Sequence, residues 1–263
     1  MLRVQTYAFG AILPSADLDT IQDNALGLAQ LQGAMVGPPY LYCSDGNTLK
    51  VGPITGVVTS DSGNVNLTTT SEFVLTPGLS ANMWGYIYAY DNVGSIALLV
   101  STDPPALNGV FKGGGSPSTA RRYVGCFRTG GSGILPFFSA RGRYVYQRSA
   151  SYVSASDFVV LNGGQATSLT AVDFSAWVPP HVLIASMELF LTIDALGSYS
   201  DYGLVVTHGD TGSFSHTIAG NNPNDLIRSN IEMVLSSDQK CDYKVINVTH
   251  KPVLSIYING FVE

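Results

Sequence analysis

From residue 183 to residue 194 apolar and polar side chains alternate. Leu183, Ala185, Met187, Leu189, Leu191 and Ile193 fall on one side, and Ser186, Glu188, Thr192 and Asp194 on the other. Successive side chains of a strand point to opposite faces, so this run predicts a strand with one face in a core and one nearer water. Shorter runs of the same kind occupy 40–43, 48–51, 54–60, 72–76, 84–90, 96–101, 121–128 and 134–138, then 158–161, 203–207, 231–235, 243–248 and 253–262. Turn-rich intervals separate them, the pattern of a sandwich or barrel. Ser44-Asp45-Gly46-Asn47 joins the first two runs as a hairpin, because Asp-Gly supplies the positive backbone dihedrals of a tight turn. Residues 96–100 are apolar on both faces and predict a central strand.

Only one segment has convincing helical spacing. Ser15 can cap it, and Leu18, Ile21, Ala25, Leu28 and Leu31 recur on one face before Gly33 ends the run. A single apolar stripe on a short helix must be buried, either against its own domain or against copies of itself. A looser polar stretch over 147–157 suggests a boundary near residue 150. The predicted fold is mainly β, a short N-terminal helix followed by two antiparallel β-sandwich, jelly-roll-like domains. Residues 1–37 form an anchoring or oligomerisation segment, 38–150 the first β domain, and 151–263 the C-terminal sandwich.

Composition narrows the function. Charged residues are 12% of the 263, about half the usual share, which leaves little for long amphipathic helices. A net charge of −6 argues against a surface that neutralises phosphates, so no nucleic-acid partner is expected. No stretch has the length of a membrane span and the first residues lack the pattern of a secretory signal, so neither membrane insertion nor export is expected. Cys43, Cys126 and Cys241 are too few and too far apart for a disulfide framework or a zinc site, and read as reduced thiols in strands.

The middle of the chain carries a resemblance. WGYIYAYDNVGSIALLVSTDPP, then NGVFKGGGSPSTA, then RRYVGCFRTGGSGILPFF gives an aromatic strand, an apolar strand ending in Ser-Thr, a Pro-containing loop, a basic-aromatic strand, a Gly-rich turn and a Pro-Phe strand. The matching positions are Trp84, Tyr86 and Tyr88; 98–102; Pro104 and Pro105; 121–125; 128–133; and Pro136 with Phe137. This block, about residues 80 to 140, resembles tail-fibre, head-fibre and spike proteins of tailed bacteriophages. The closing SIYINGFVE resembles the ends of many fibre domains. The resemblance implies a virion protein assembled in the bacterial host cytoplasm, a homotrimer with an N-terminal region joined to other virion proteins and an outward C-terminal β domain. No β-helix repeat, heptad stalk or collagen-like run is present, so no long shaft is expected.

Trp84, Tyr86, Tyr88 and Tyr90 share one side of their strand, either to fill a core or subunit interface or to make a platform for sugar rings. With Leu18, Ile21, Leu28 and Leu31, the first three form the expected oligomer interface. In the C-terminal half, Tyr199 and Tyr202 flank Asp201 in what reads as a loop. Rings that stack on a sugar face beside a carboxylate that accepts its hydroxyls make this the expected contact for a host-surface glycan. His208, Asp210 and His216 are weak metal-ligand candidates better read as hydrogen-bonded residues, and no metal or cofactor is expected.

No catalytic constellation is legible. Gly130-Gly131-Ser132-Gly133-Ile134 fails as a nucleophile elbow at its last position, and Gly113-Gly114-Gly115 lacks the Lys of a phosphate cradle. Three functions remain: a short fibre or spike subunit, a decoration, collar or adaptor protein, and a surface-polysaccharide esterase or hydrolase. The resemblance, the low charge and the missing motifs favour the first two, and no enzymatic activity is expected.

Overall fold

The computed structural model describes residues 39–43, 45–60, 63–92, 94–105, 110–111, 121–147, 158–193, 201–209, 215–220, 226–246 and 252–263. The expected helix lies outside them, as does the boundary stretch beyond Gln147. The described chain is mainly β, with several antiparallel sheets. The first strands are β1 (Leu41–Cys43), β2 (Leu49–Val51), β3 (Thr55–Ser60), β4 (Gly63–Thr68), β5 (Phe73–Leu75), β6 (Trp84–Asp91) and β7 (Ile96–Ser101). Next come β8 (Val110–Phe111), β9 (Arg121–Gly130), β10 (Gly133–Ile134), β11 (Phe137–Ala140) and β12 (Arg143–Tyr146). The last are β13 (Val159–Gly164), β14 (Thr170–Asp173), β15 (Ile184–Thr192), β16 (Asp201–Thr207), β17 (Ser215–Gly220), β18 (Leu226–Val234), β19 (Lys240–Ile246) and β20 (Val253–Val262).

One nine-stranded sheet runs through both halves of the chain in the order β18-β15-β20-β12-β11-β1-β2-β5, with β13 also paired to β20. A five-stranded sheet, β10-β9-β6-β7 with β8 on β9, belongs to the first half, and a four-stranded sheet, β14-β19-β16-β17, to the second. The β3–β4 pair stands apart. Both smaller sheets pack on the same face of the large sheet. Gly125 of β9 lies against Leu41 of β1, and Gly203 of β16 lies against Leu254 of β20 and Leu191 of β15. The buried residues form one continuous cluster that includes Leu41, Phe137, Phe127, Met187, Leu254 and Val205.

Residue 150 therefore divides a chain whose halves share a sheet and a core. β12 pairs with β20 through Arg143↔Val262, Tyr144↔Phe261 and Val145↔Gly260. Their backbones approach so closely at Gly260 that a Cβ there would sit 1.8 Å from the Tyr144 carbonyl oxygen, which only glycine avoids. Aromatic rings pack around this junction. Tyr144 is stacked between Phe137 at 4.4 Å and Phe261 at 4.3 Å, and Trp84 meets Phe261 edge-on at 5.9 Å.

Ala185, Met187, Leu189, Leu191 and Ile193 are buried as the alternation predicts, but Glu188, read on the side nearer water, is buried as well. Leu183, one residue ahead of β15, departs from the alternation and is exposed. The first hairpin forms as read, with the Asp45 carboxylate accepting from the Asn47 and Thr48 amides at 2.9 and 2.7 Å. Residues 96–100, expected as a central strand, form β7 at the end of its sheet order among the described residues. All six of its residues are half-buried. Its apolar side chains lean on the core without a strand described on its far side.

Candidate functional site

The aromatic strand comes first, since it carries both the resemblance and the interface expectation. β6 lies between β7 and β9, with Tyr86↔Cys126 and Tyr88↔Tyr123 in register with β9. Tyr86 and Tyr88 are buried within the single chain. Both rings pack in the core of their own fold. Tyr88 also donates its hydroxyl to the Asp103 carbonyl at 2.7 Å. Trp84 is half-buried beneath the Arg128 guanidinium, which sits 5.5 Å from its ring. Leu18, Ile21, Leu28 and Leu31 lie outside the described residues.

Two of the three residues expected in the glycan loop belong to a strand. Tyr199 lies outside the described residues, but Asp201 and Tyr202 are strand residues at the start of β16. There Asp201 pairs with Gly220, while Tyr202 pairs with both Ala219 and Ile246. Backbone pairing on two sides fixes Tyr202 in the four-stranded sheet, where it is half-buried.

His208 and His216 take separate partners. His208 Nδ1 lies 2.7 Å from Asp242 Oδ1, and His216 Nε2 lies 3.0 Å from the Ser229 hydroxyl. Asp210 lies outside the described residues, among which no group of three ligating side chains is placed to hold a metal ion.

A polar cluster that sequence reasoning missed sits at the end of β20. The Tyr123 hydroxyl donates to Glu263 Oε1 at 2.5 Å and lies 3.2 Å from His181 Nε2. The Cys126 thiol donates to the same carboxylate oxygen at 3.2 Å, and His181 Nε2 is 3.4 Å from it. Residues from β9, from the turn before β15 and from beyond β20 thus converge on one oxygen. Burial pushes the Cys126 thiol far above its ordinary range, and the Glu263 carboxylate pushes the same way. A thiol so held carries its proton at neutral pH, so the cluster cannot supply a thiolate nucleophile. Chemically it is a tie, in which one carboxylate gathers donors from segments far apart in sequence.

The outer face of the nine-stranded sheet presents a second feature. Glu232, Ser186, Gly260, Val145, Phe138, Tyr42, Lys50 and Val74 are consecutive register partners across eight strands. Because strand side chains alternate, all eight positions lie on the face opposite the core. At one end of the row Lys50 pairs with Glu72 at 3.4 Å and lies 5.3 Å from the Tyr42 ring centre, while Tyr40 donates to Glu72 at 3.0 Å. No protein-family model matches the sequence, and no curated protein matches it.

Proposed function

We propose that the chain is a structural subunit of a tailed-bacteriophage particle, a short fibre or spike component that works by binding and assembling. The observation that carries this reading is the block over residues 80–140, whose aromatic, apolar and basic-aromatic runs correspond to β6, β7 and β9 of one sheet. In this reading the two halves are jelly-roll-like sandwiches that share the large sheet. The subunit assembles in the host cytoplasm as a homotrimer, and residues 1–37 join it to other virion proteins. Tyr199, together with Asp201 and Tyr202 at the start of β16, would contact host-surface glycan.

The low charge and the protonated, enclosed Cys126 support a binding role over a hydrolytic one. The testing experiment is to label the chain with a small tag and image purified particles. Tagged density at symmetric positions on the particle supports the proposal, with an outward tip favouring recognition and an enclosed site favouring joining. Particles that never contain the chain overturn it.

A further inference from the structure

β18 closes one end of the nine-stranded sheet, and β15 is its only strand partner among the described residues. The two pair along the whole of β18 without a shift of register. One step further on, the Leu235 amide donates to the Leu183 carbonyl at 2.7 Å. Backbone amides and carbonyls alternate in direction along an antiparallel strand, so Ile227, Ser229, Ile231 and Met233 turn theirs to β15. Leu226, Arg228, Asn230 and Glu232 turn theirs away from it. The Val234 carbonyl also points away, and there accepts the Thr207 hydroxyl at 2.6 Å. Side chains alternate with the same period, and those of Leu226, Arg228, Asn230 and Glu232 are exposed on the outer face. An edge of this kind is a template for another strand.

We propose that this edge pairs with the same edge of a second copy, antiparallel about a two-fold axis at Asn230. Charge selects both the partner and the register. With the axis there, Asn230 lies opposite the partner's Asn230, Arg228 opposite the partner's Glu232, and Glu232 opposite the partner's Arg228. All three positions turn amide and carbonyl outward, so each makes a hydrogen-bonded pair. An axis at Ser229 would set Arg228 against Asn230 and Glu232 against Leu226, and one at Ile231 would set Arg228 against Val234, whose carbonyl is taken. An axis at Arg228 or Glu232 would oppose like charges. Only Asn230 as centre brings opposite charges face to face on both sides, and such cross-strand pairs stabilise where like pairs repel.

Charges on an edge strand ordinarily keep other strands away. Here the sign reverses across the centre, so a second copy of the same edge is the strand they accept. Glu232 already accepts from Arg143 at 2.6 Å, but its side chain stays 44% exposed, which leaves room for a second cation. The contact is two-fold, and a three-fold axis does not repeat it. It is therefore separate from the homotrimer proposed above, two of which it would join, and it does not rest on the virion reading.

The test begins with air oxidation of the full chain carrying Asn230→Cys. Paired Cα atoms would stand about 5.5 Å apart, within disulfide reach, and the three native cysteines are buried. The expected product is a covalent dimer joined from 230 to 230. Leu226→Cys, about 27 Å from its counterpart in this register, should give none. Arg228→Glu alone and Glu232→Arg alone each oppose like charges at both pairs, and each should weaken self-association in low salt about tenfold by sedimentation. An equimolar mixture of the two variants should restore it, because Glu meets Arg at both pairs of the mixed dimer; mixing does not rescue misfolded chains. A folded Asn230→Cys protein that forms no dimer overturns the proposal. So does an equal dimer yield from Leu226→Cys, single charge variants that associate as the parent does, or a mixture that associates no better than its components.

Discussion

The hydroxyl of Tyr123 donates to the carboxylate of Glu263 at 2.5 Å, a link between residues 140 positions apart that fastens the end of β20 to β9. A hydrogen bond to a charged group contributes about 1.5–3 kcal/mol. The lower end applies because the Glu263 side chain is 20% exposed. Tyr123→Phe should therefore lower stability in urea by about 1.5 kcal/mol. In a double-mutant cycle with Glu263→Gln the two losses should fall short of additive by more than about 0.5 kcal/mol. Strict additivity would mean that the two side chains do not act on each other.

The close approach at Gly260 makes a sharper prediction. A Cβ there would meet backbone, the Tyr144 carbonyl oxygen at 1.8 Å, and backbone cannot swing aside as a side-chain tip can. Gly260→Ala should cost about 3 kcal/mol or more, the upper end for an overpacked site. Because β20 also carries β15 and β13, the damage should reach both halves. A variant with an unchanged urea midpoint would show that β12 and β20 do not approach in this way.

Much of this architecture was legible in the sequence. Runs such as 40–43, 84–90 and 253–262 coincide with β1, β6 and β20, because alternation records which side of a strand is buried. β12 escaped notice, although Tyr144 and Tyr146 face the core while Arg143 and Val145 face out. It is four residues long and follows a turn, too short a run for alternation to stand out. The cluster at Glu263 was invisible for a different reason. Tyr123, Cys126, His181 and Glu263 come from three distant stretches, and no local spacing marks residues that only tertiary packing joins. The outer row hides in the same way, since its members share nothing until strand register is known.

The first hairpin should report on acid. The Thr48 and Asn47 amides hold the Asp45 carboxyl down at about 2, below its ordinary value near 4. A group whose pKa is depressed by folding contributes stability that is present above the ordinary carboxylate value and is lost as pH falls through the depressed one. Asp45→Asn should therefore flatten the fall in stability between about pH 4 and pH 2. The check is to compare thermal unfolding of the two proteins across that range; parallel curves would mean that Asp45 does not sense folding.

All three cysteines are buried as free thiols. Burial pushes Cys43 up, Cys126 far up and Cys241 up to about 12. Ellman's reagent at pH 8 should find no fast-reacting thiol in the native protein and three after unfolding. Rapid native labelling of even one would place that cysteine at the surface.

Tyr144 and Tyr146 are two residues apart on β12, both buried, and differ in one respect. The Tyr146 hydroxyl donates to the Trp177 carbonyl at 2.8 Å, whereas the Tyr144 hydroxyl is buried with no hydrogen-bond partner among the described residues. A buried hydroxyl that has left water without a new partner costs about 1–3 kcal/mol, and removing it leaves the stacking on Phe137 and Phe261 in place. The same deletion at Tyr146 gives up a bond and orphans a carbonyl. Tyr144→Phe should then raise stability by about 1 kcal/mol, and Tyr146→Phe should lower it by about 1 kcal/mol or more. Urea titrations of the two variants beside the parent decide the matter through the signs. Destabilisation by both, to the same extent, would mean that the Tyr144 hydroxyl has a partner after all.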